Sequence, residues 1–249
     1  METTTDTGIL ETADIETSSD GYAGRFAGPS GEWFLRTQLN ITLDMLPPVS
    51  ERPAILEVGG GHGQLTPHLI ERGYRVVVAG SHQKCCDRIK PYLSPGRCDF
   101  VIGSPPRLPF RNGEFDTVIS YRFVCHAHSW QRFLAELARV AARDVLIDYP
   151  PIISFNLCTP LLFGLKKRME GNTRTYKLFF EKEITRVFRE NGFVRAARRA
   201  EFFLPMVLHR IIRNRIISAK TERVFRALGF TEHFGSPVIV KFTAKERIS

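Results

Sequence analysis

Glu57-Val58-Gly59-Gly60-Gly61-His62-Gly63 sets a carboxylate two residues ahead of a turn with four glycines. Glycines let backbone N–H groups approach a ligand that a side chain would hold off, and they adopt positive φ at little cost. The pattern is GxGxG with a preceding acid. It departs from the dinucleotide GxGxxG fingerprint because Gln64 and Leu65 follow Gly63. A second constellation is Cys125-His126-Ala127-His128-Ser129-Trp130. An imidazole titrates near neutrality, so His126 and His128 are candidate general bases; helix capping is the other role open to each. Their spacing also suits a metal, but no third ligand accompanies them, and no metal is expected. Tyr149 is a further group placed to face an acceptor. The five cysteines (Cys85, Cys86, Cys98, Cys125 and Cys158) form no CxxC pair, which points to reduced thiols in a cytoplasm.

These groups need elements to position them. Apolar runs predict strands at Ala54–Val58, Tyr74–Ala79, Asp99–Ile102, Phe115–Ser120, Asp144–Asp148, Phe193–Phe203 and Pro237–Thr243. Between them fall helical patterns over Glu32–Leu46, Gln64–Arg72 and Trp130–Ala142, and a helix carrying Cys85 and Cys86. Alternating strands and helices predict a doubly wound α/β domain with a mostly parallel sheet and helices on both faces. Ligands of such sheets bind at the carboxyl ends of the strands. Gly59–Gly63, Gly80, Ser104 and Ser120–Arg122 all fall there.

From about Tyr22 onward the chain resembles the class I S-adenosylmethionine-dependent methyltransferases, most closely the small-molecule and lipid branch that includes quinone C-methyltransferases. The likeness rests on the Glu57–Gly63 turn, on Gly103-Ser104-Pro105-Pro106-Arg107-Leu108-Pro109-Phe110, and on Gly113-Glu114-Phe115-Asp116-Thr117-Val118-Ile119-Ser120. It implies a Rossmann-like seven-stranded sheet whose last strand is antiparallel, with S-adenosylmethionine as cofactor. Carried over by residue, Gly59, Gly61 and Gly63 would wrap the methionine moiety, and Glu57 would orient the turn. The family's ribose-binding acid after the second strand falls on Gly80, leaving Ser81 or the backbone to take part of that task. Ser104 stands where the family often has an acid or amide for the adenine. The Tyr22–Gly28 segment resembles one that folds over the cofactor, with Tyr22 covering the methionine end and Arg25 pairing with its carboxylate.

Composition fits one globular unit of 249 residues with net charge +9. Residues 1–20 carry acids and no base, and read as a disordered acidic tail; residues 21–249 form the single domain. No segment has the length of a membrane span, and no signal-peptide pattern opens the chain. In the resembled family, substrate-covering elements are inserted after the fifth strand, which here makes residues 150–180 a small helical lid. Lys166, Arg174 and Tyr176 are its substrate-contact candidates, with Lys167 as a further anion contact. A basic amphipathic helix over Leu204–Ile217 suits either core packing or a membrane surface. The expected activity is methyl transfer to a small lipophilic or anionic acceptor, such as a lipid-linked, quinone-like or phospholipid molecule, in a cytoplasmic protein with possible peripheral membrane contact. A non-catalytic cofactor-binding or interaction protein is the alternative, and an RNA methyltransferase, supported by charge alone, is the third. Nucleic acid is otherwise not an expected partner.

Overall fold

Three of the strands end in Gly80, Ser120 and Tyr149 at one edge of a single sheet, and that edge is where the candidate site lies. The computed structural model describes residues 13–154, 177–212 and 214–245. Among them the strands are β1 (Ala54–Val58), β2 (Arg75–Gly80), β3 (Cys98–Ile102), β4 (Phe115–Ser120), β5 (Ala141–Tyr149), β6 (Phe193–Ala200) and β7 (Val238–Ala244). They pair in the order β3-β2-β1-β4-β5-β7-β6. All neighbours are parallel except β7, which runs antiparallel to both β5 and β6. The order reverses between β1 and β4, which makes their carboxyl ends the crevice for a ligand.

Helices cover both faces. The described helices are α1 (Ala13–Thr17), α2 (Asp20–Gly24), α3 (Gly28–Met45), α4 (Thr66–Glu71), α5 (Trp130–Val140), α6 (Glu181–Glu190), α7 (Met206–Ile212), α8 (Arg215–Ala227) and α9 (Phe230–Phe234). On one face Phe133, Leu137, Ile184 and Phe188 of α5 and α6 pack on Val118, Val145 and Val240. On the other, Leu39 of α3 and Leu69 and Ile70 of α4 pack on Ile55, Val76, Val78 and Ile119. Large aliphatic and aromatic side chains buried on both faces explain why the central strands read as unbroken apolar runs rather than as alternating ones.

Three local readings are corrected. Residues 13–20 of the expected 1–20 tail are not solvated: they form α1 and the start of α2, and Ala13, Asp14, Thr17 and Ser18 are buried. Leu204–Ile217 is not one helix. It breaks at Asn214, whose side chain accepts from the N–H groups of Ile216 and Ile217 and so caps α8. Cys85 and Cys86 sit in a single 3-10 turn, Gln83–Cys86, rather than in a helix. The lid residues 155–176 lie outside the described residues, and with them Lys166, Lys167, Arg174 and Tyr176.

Candidate cofactor site

β1 delivers Glu57 and then turns sharply. Gly59 and Gly63 hold φ of +75° and +66°, a conformation that side chains resist. Gly59 N–H donates to the Ala79 carbonyl at 2.8 Å, which ties the turn to the end of β2. A Cβ on Gly60 would lie 2.3 Å from the Glu57 carboxyl carbon. The acid and the turn therefore fit each other as one unit.

Glu57 is 2% exposed and accepts from Thr66 Oγ1 at 2.5 Å. Burial pushes its carboxyl up to about 7, against the lowering effects of the Thr66 bond and Arg122. His62 Nε2 lies 4.0 Å from Glu57 Oε1. Burial, reinforced by Arg122 and Arg88, lowers His62 to about 3, so its ring is neutral and the contact is not an ion pair. Its Nδ1 instead accepts from Gln64 N–H at 3.1 Å, which closes the turn.

At the end of β2, Gly80 has no room for a side chain: a Cβ would stand 2.7 Å from that of Cys85. A carboxylate from elsewhere in the chain reaches the residues just beyond it. Asp14 of α1 accepts from Ser81 N–H and Ser81 Oγ, each at 2.5 Å, and from the Cys85 thiol at 3.5 Å. Ser104, beyond β3, is exposed, and its carbonyl accepts from Arg107 N–H at 2.8 Å.

β4 and β5 contribute a charged cluster. Arg122 follows β4 with φ of 59°, which turns its N–H onto Asp148 Oδ1 at 2.5 Å. Its guanidinium donates to Gln38 Oε1 at 2.9 Å and covers the Phe26 ring, 4.2 Å from the centroid. Gln38 also donates to Glu201 Oε1 at 3.4 Å. Burial raises Asp148 to about 6 and Glu201 to about 8, in each case against the nearby positive charge of Arg122. None of Asp14, Arg122, Asp148 and Glu201 was a candidate site residue from sequence: Arg122 was visible only as the end of the Ser120–Arg122 stretch, Asp148 only as the start of Asp148-Tyr149-Pro150-Pro151, and Asp14 and Glu201 carry no local motif.

The remaining candidates separate. Tyr22 packs its ring 5.8 Å from Phe26 with the Arg25 guanidinium 5.1 Å above it. Arg25 pairs with Glu16 at 3.7 Å, so in this arrangement its charge faces α1. His126 is half-buried in the turn after β4, and His128 is exposed beside α5. Tyr149, expected to face an acceptor, is 1% exposed and packs on Phe179 with ring centroids 6.1 Å apart. Its place in the core between sheet and α5 explains this, and burial pushes its phenol up to about 12. No group of three or more metal-ligating side chains occurs among the described residues.

The strand order, the antiparallel β7 and an acid-led glycine turn at the switch point are the features that the resemblance to class I methyltransferases implies. Residues 56–147 match the family described as a methyltransferase domain. The matched stretch runs from β1 into β5 and includes the glycine turn and the Arg122 loop. It is 31% identical over 98 residues to a biotin biosynthesis bifunctional protein of Cellvibrio japonicus (strain Ueda107), covering 39% of this chain and 19% of that relative's length. The magnesium protoporphyrin IX methyltransferase from Synechocystis PCC 6803 with bound SAH has a similar fold, with TM-score 0.65, 15% identity and coverage of 96% of this chain and 100% of that one. A putative methyltransferase in complex with the Haloferax volcanii Trm112 activator gives TM-score 0.62 at 15% identity, covering 94% and 97%. A possible histamine N-methyltransferase from Thermotoga maritima gives 0.58 at 14%, covering 90% and 92%. At these identities the structural likenesses establish a shared fold.

Proposed function

We propose that the protein transfers the methyl group of S-adenosylmethionine to a small, lipophilic acceptor presented at a membrane surface. The sulfonium supplies an already activated methyl, so the protein's task is to align the acceptor behind it. Orientation of this kind contributes about 7–11 kcal/mol to lowering the barrier. In this reading the Gly59–Gly63 turn and Glu57 hold the methionine end, Ser81 takes the ribose, and Tyr22 closes over the top. Arg122 fixes the carboxyl ends of β4 and β5 by binding Asp148 through its main chain and Gln38 through its side chain. His126, half-buried after β4, is the group that would accept a proton from an acceptor that must lose one.

The observation that carries the lipophilic reading is the outer face of α8. Ile216, Ile217 and Val224, with Leu228 just beyond the helix, are 67%, 52%, 57% and 65% exposed. At 100° per residue they form one stripe, which also holds exposed Lys220 and is flanked by Arg223. Glu222, the acid of that helix, faces inward and accepts from Phe203 and Leu204 N–H. A stripe of aliphatic and basic side chains without acids suits an anionic bilayer surface. α7 joins this face to the site, since Arg210 donates to the Arg25 carbonyl at 3.1 Å. No described helix is long and apolar enough to cross a membrane. The magnesium protoporphyrin IX methyltransferase neighbour supports a hydrophobic acceptor by analogy of fold alone. The free thiols of Cys85, Cys86, Cys98 and Cys125 support a cytoplasmic location.

The test has two arms. Methyl-labelled S-adenosylmethionine incubated with the protein and whole-cell extract is expected to label the organic-soluble fraction; label confined to RNA or to water-soluble compounds overturns the lipophilic reading. Sedimentation with phosphatidylglycerol vesicles is expected to weaken about 30-fold in Lys220→Gln/Arg223→Gln, from roughly 1 kcal/mol per basic residue. Equal sedimentation of the variant removes α8 as the contact surface.

A further inference from the structure

The N-terminal helix α1 lies on the same face of the glycine turn that a cofactor must read. Asp14 is 0% exposed, and the protein's own donors engage both of its carboxylate oxygens: Ser81 N–H and the Cys85 thiol on Oδ2, and Ser81 Oγ on Oδ1. Ser18 Oγ stands 2.5 Å from where a Gly61 Cβ would project, and Asp14 Cβ stands 3.9 Å from that of Gly59. The contact thus runs along the turn from Gly59 to Gly61 and out to the end of β2. It covers both the methionine part and the ribose part of the site.

The composition of this contact differs from that of the core. The buried residues at this contact are Ala13, Asp14, Thr17 and Ser18, so one methyl-sized side chain is its aliphatic share. The Ser18 hydroxyl is buried with no hydrogen-bond partner among the described residues. A five-residue helix has little stability of its own. It stays in place through hydrogen bonds to Ser81 and through Arg88, which donates to the His62 carbonyl and pairs with Asp20 at the start of α2. Asp20 is 92% exposed, so that pair opens readily to water. Polar contacts of this kind exchange with those of a competing polar ligand without disturbing the sheet. A ribose diol carries oxygens that accept from the same Ser81 N–H and hydroxyl.

We infer that α1 is a built-in competitor of S-adenosylmethionine: Asp14 occupies the Ser81 donors in the resting protein, and cofactor binding requires α1 to leave. This rests on the reading that the Gly59–Gly63 turn holds the cofactor. The segment is therefore an autoinhibitory element, and any partner that captures it raises cofactor affinity.

The test uses full-length protein and two variants. Asp14→Ala removes the carboxylate; Asp14→Arg cannot accept from Ser81 at all and ejects the helix if alanine leaves it docked. Calorimetric titration with S-adenosylmethionine is expected to show affinity at least about tenfold higher in the variants, which corresponds to a helix docked roughly nine-tenths of the time. Hydrogen exchange over residues 13–18 is expected to be slow in the wild-type protein alone and fast once cofactor saturates it. Unchanged or weaker binding in both variants overturns the inference. Exchange that slows on cofactor addition does so too, and would make Asp14 a direct cofactor contact. Absence of binding in the wild type and in a variant whose helix exchange shows released overturns the cofactor reading of the turn itself.

Discussion

Gly61→Ala tests the turn with a single methyl group. The added Cβ would stand 1.9 Å from the Cys85 carbonyl oxygen and 2.8 Å from its carbon. Main-chain atoms cannot rotate away as a flexible side chain can, and the carbonyl must retreat about 1.5 Å to reach the 3.4 Å of ordinary contact. Cys85 and Cys86 are 0% and 1% exposed, and Cys86 packs with Val78 and Ile89 in the core beside α4. The retreat therefore disturbs packed atoms, at about 1–3 kcal/mol for overpacking of this kind. At ~2–4 °C per kcal/mol for a protein of this size, Tm should fall by roughly 2–12 °C. The same displacement moves the turn relative to Glu57 and Ser81, so the Kd for S-adenosylmethionine should rise by more than about tenfold, or 1.4 kcal/mol. The control is Gly24→Ala in α2, where nothing lies within 4 Å of the added carbon. There alanine should leave both quantities unchanged or stabilise by about 0.4–1 kcal/mol. Differential scanning fluorimetry and calorimetry on both variants decide the matter. A Gly61→Ala protein with wild-type Tm and wild-type Kd would refute the argument.

Two further outcomes follow from buried carboxylates. Glu201, Glu57 and Asp148 hold their protons up to about 8, 7 and 6, where the unfolded chain has already released them. The stability they contribute is complete at acid pH and is lost as pH rises through those values, so Tm should decline between about pH 5 and 8. Glu201→Gln should flatten the upper part of that decline and raise Tm at about pH 8; a wild-type Tm that climbs over this range contradicts the assignment. Glu222 accepts from Phe203 N–H at 2.8 Å and Leu204 N–H at 2.9 Å, and lies 2.9 Å from His209 Nε2. Glu222→Ala strands those groups and should cost roughly 3–5 kcal/mol in urea unfolding, with a loss under about 1 kcal/mol counting against the network.

The central sheet was legible because its signals are local. β1 and β4 begin and end where the apolar runs do, each closed by a residue that cannot continue the run: the glycine turn after Val58, and the Tyr121-Arg122 reversal after Ser120. The glycine turn was legible for the same reason. α3 began four residues earlier than expected because Pro29 fits a first helical turn, where its missing N–H leaves no gap. The break at Asn214 was hidden by isoleucines that carry the helical period straight across it, although Asn is a good capping residue. Asp14 was hidden more deeply. Acids among Thr and Ser read as solvated, and nothing in their composition reveals that one of them meets Ser81, 67 residues away. The same holds for Glu201 and Gln38, which meet across 163 residues.

The place of β7 in the sheet has a consequence for how the molecule is made. β7 is the last of the described strands in sequence, yet it lies between β5 and β6 and pairs with both. Among the described strands, β6 has no other neighbour. As the chain leaves the ribosome, β1 to β5 can assemble in turn, but β6 must wait, unpaired, until residues 238–244 emerge. During that interval the edge of β5 is open to any passing strand. The arginines at positions 195, 198 and 199 make β6 itself a poor template for another chain in the meantime. Closing the sheet late also means that Glu201, just beyond β6, reaches Gln38 and the Arg122 cluster last of all. Half-synthesised chains therefore have the glycine turn but not the finished carboxyl edge, and the polar cluster matures in a single final step.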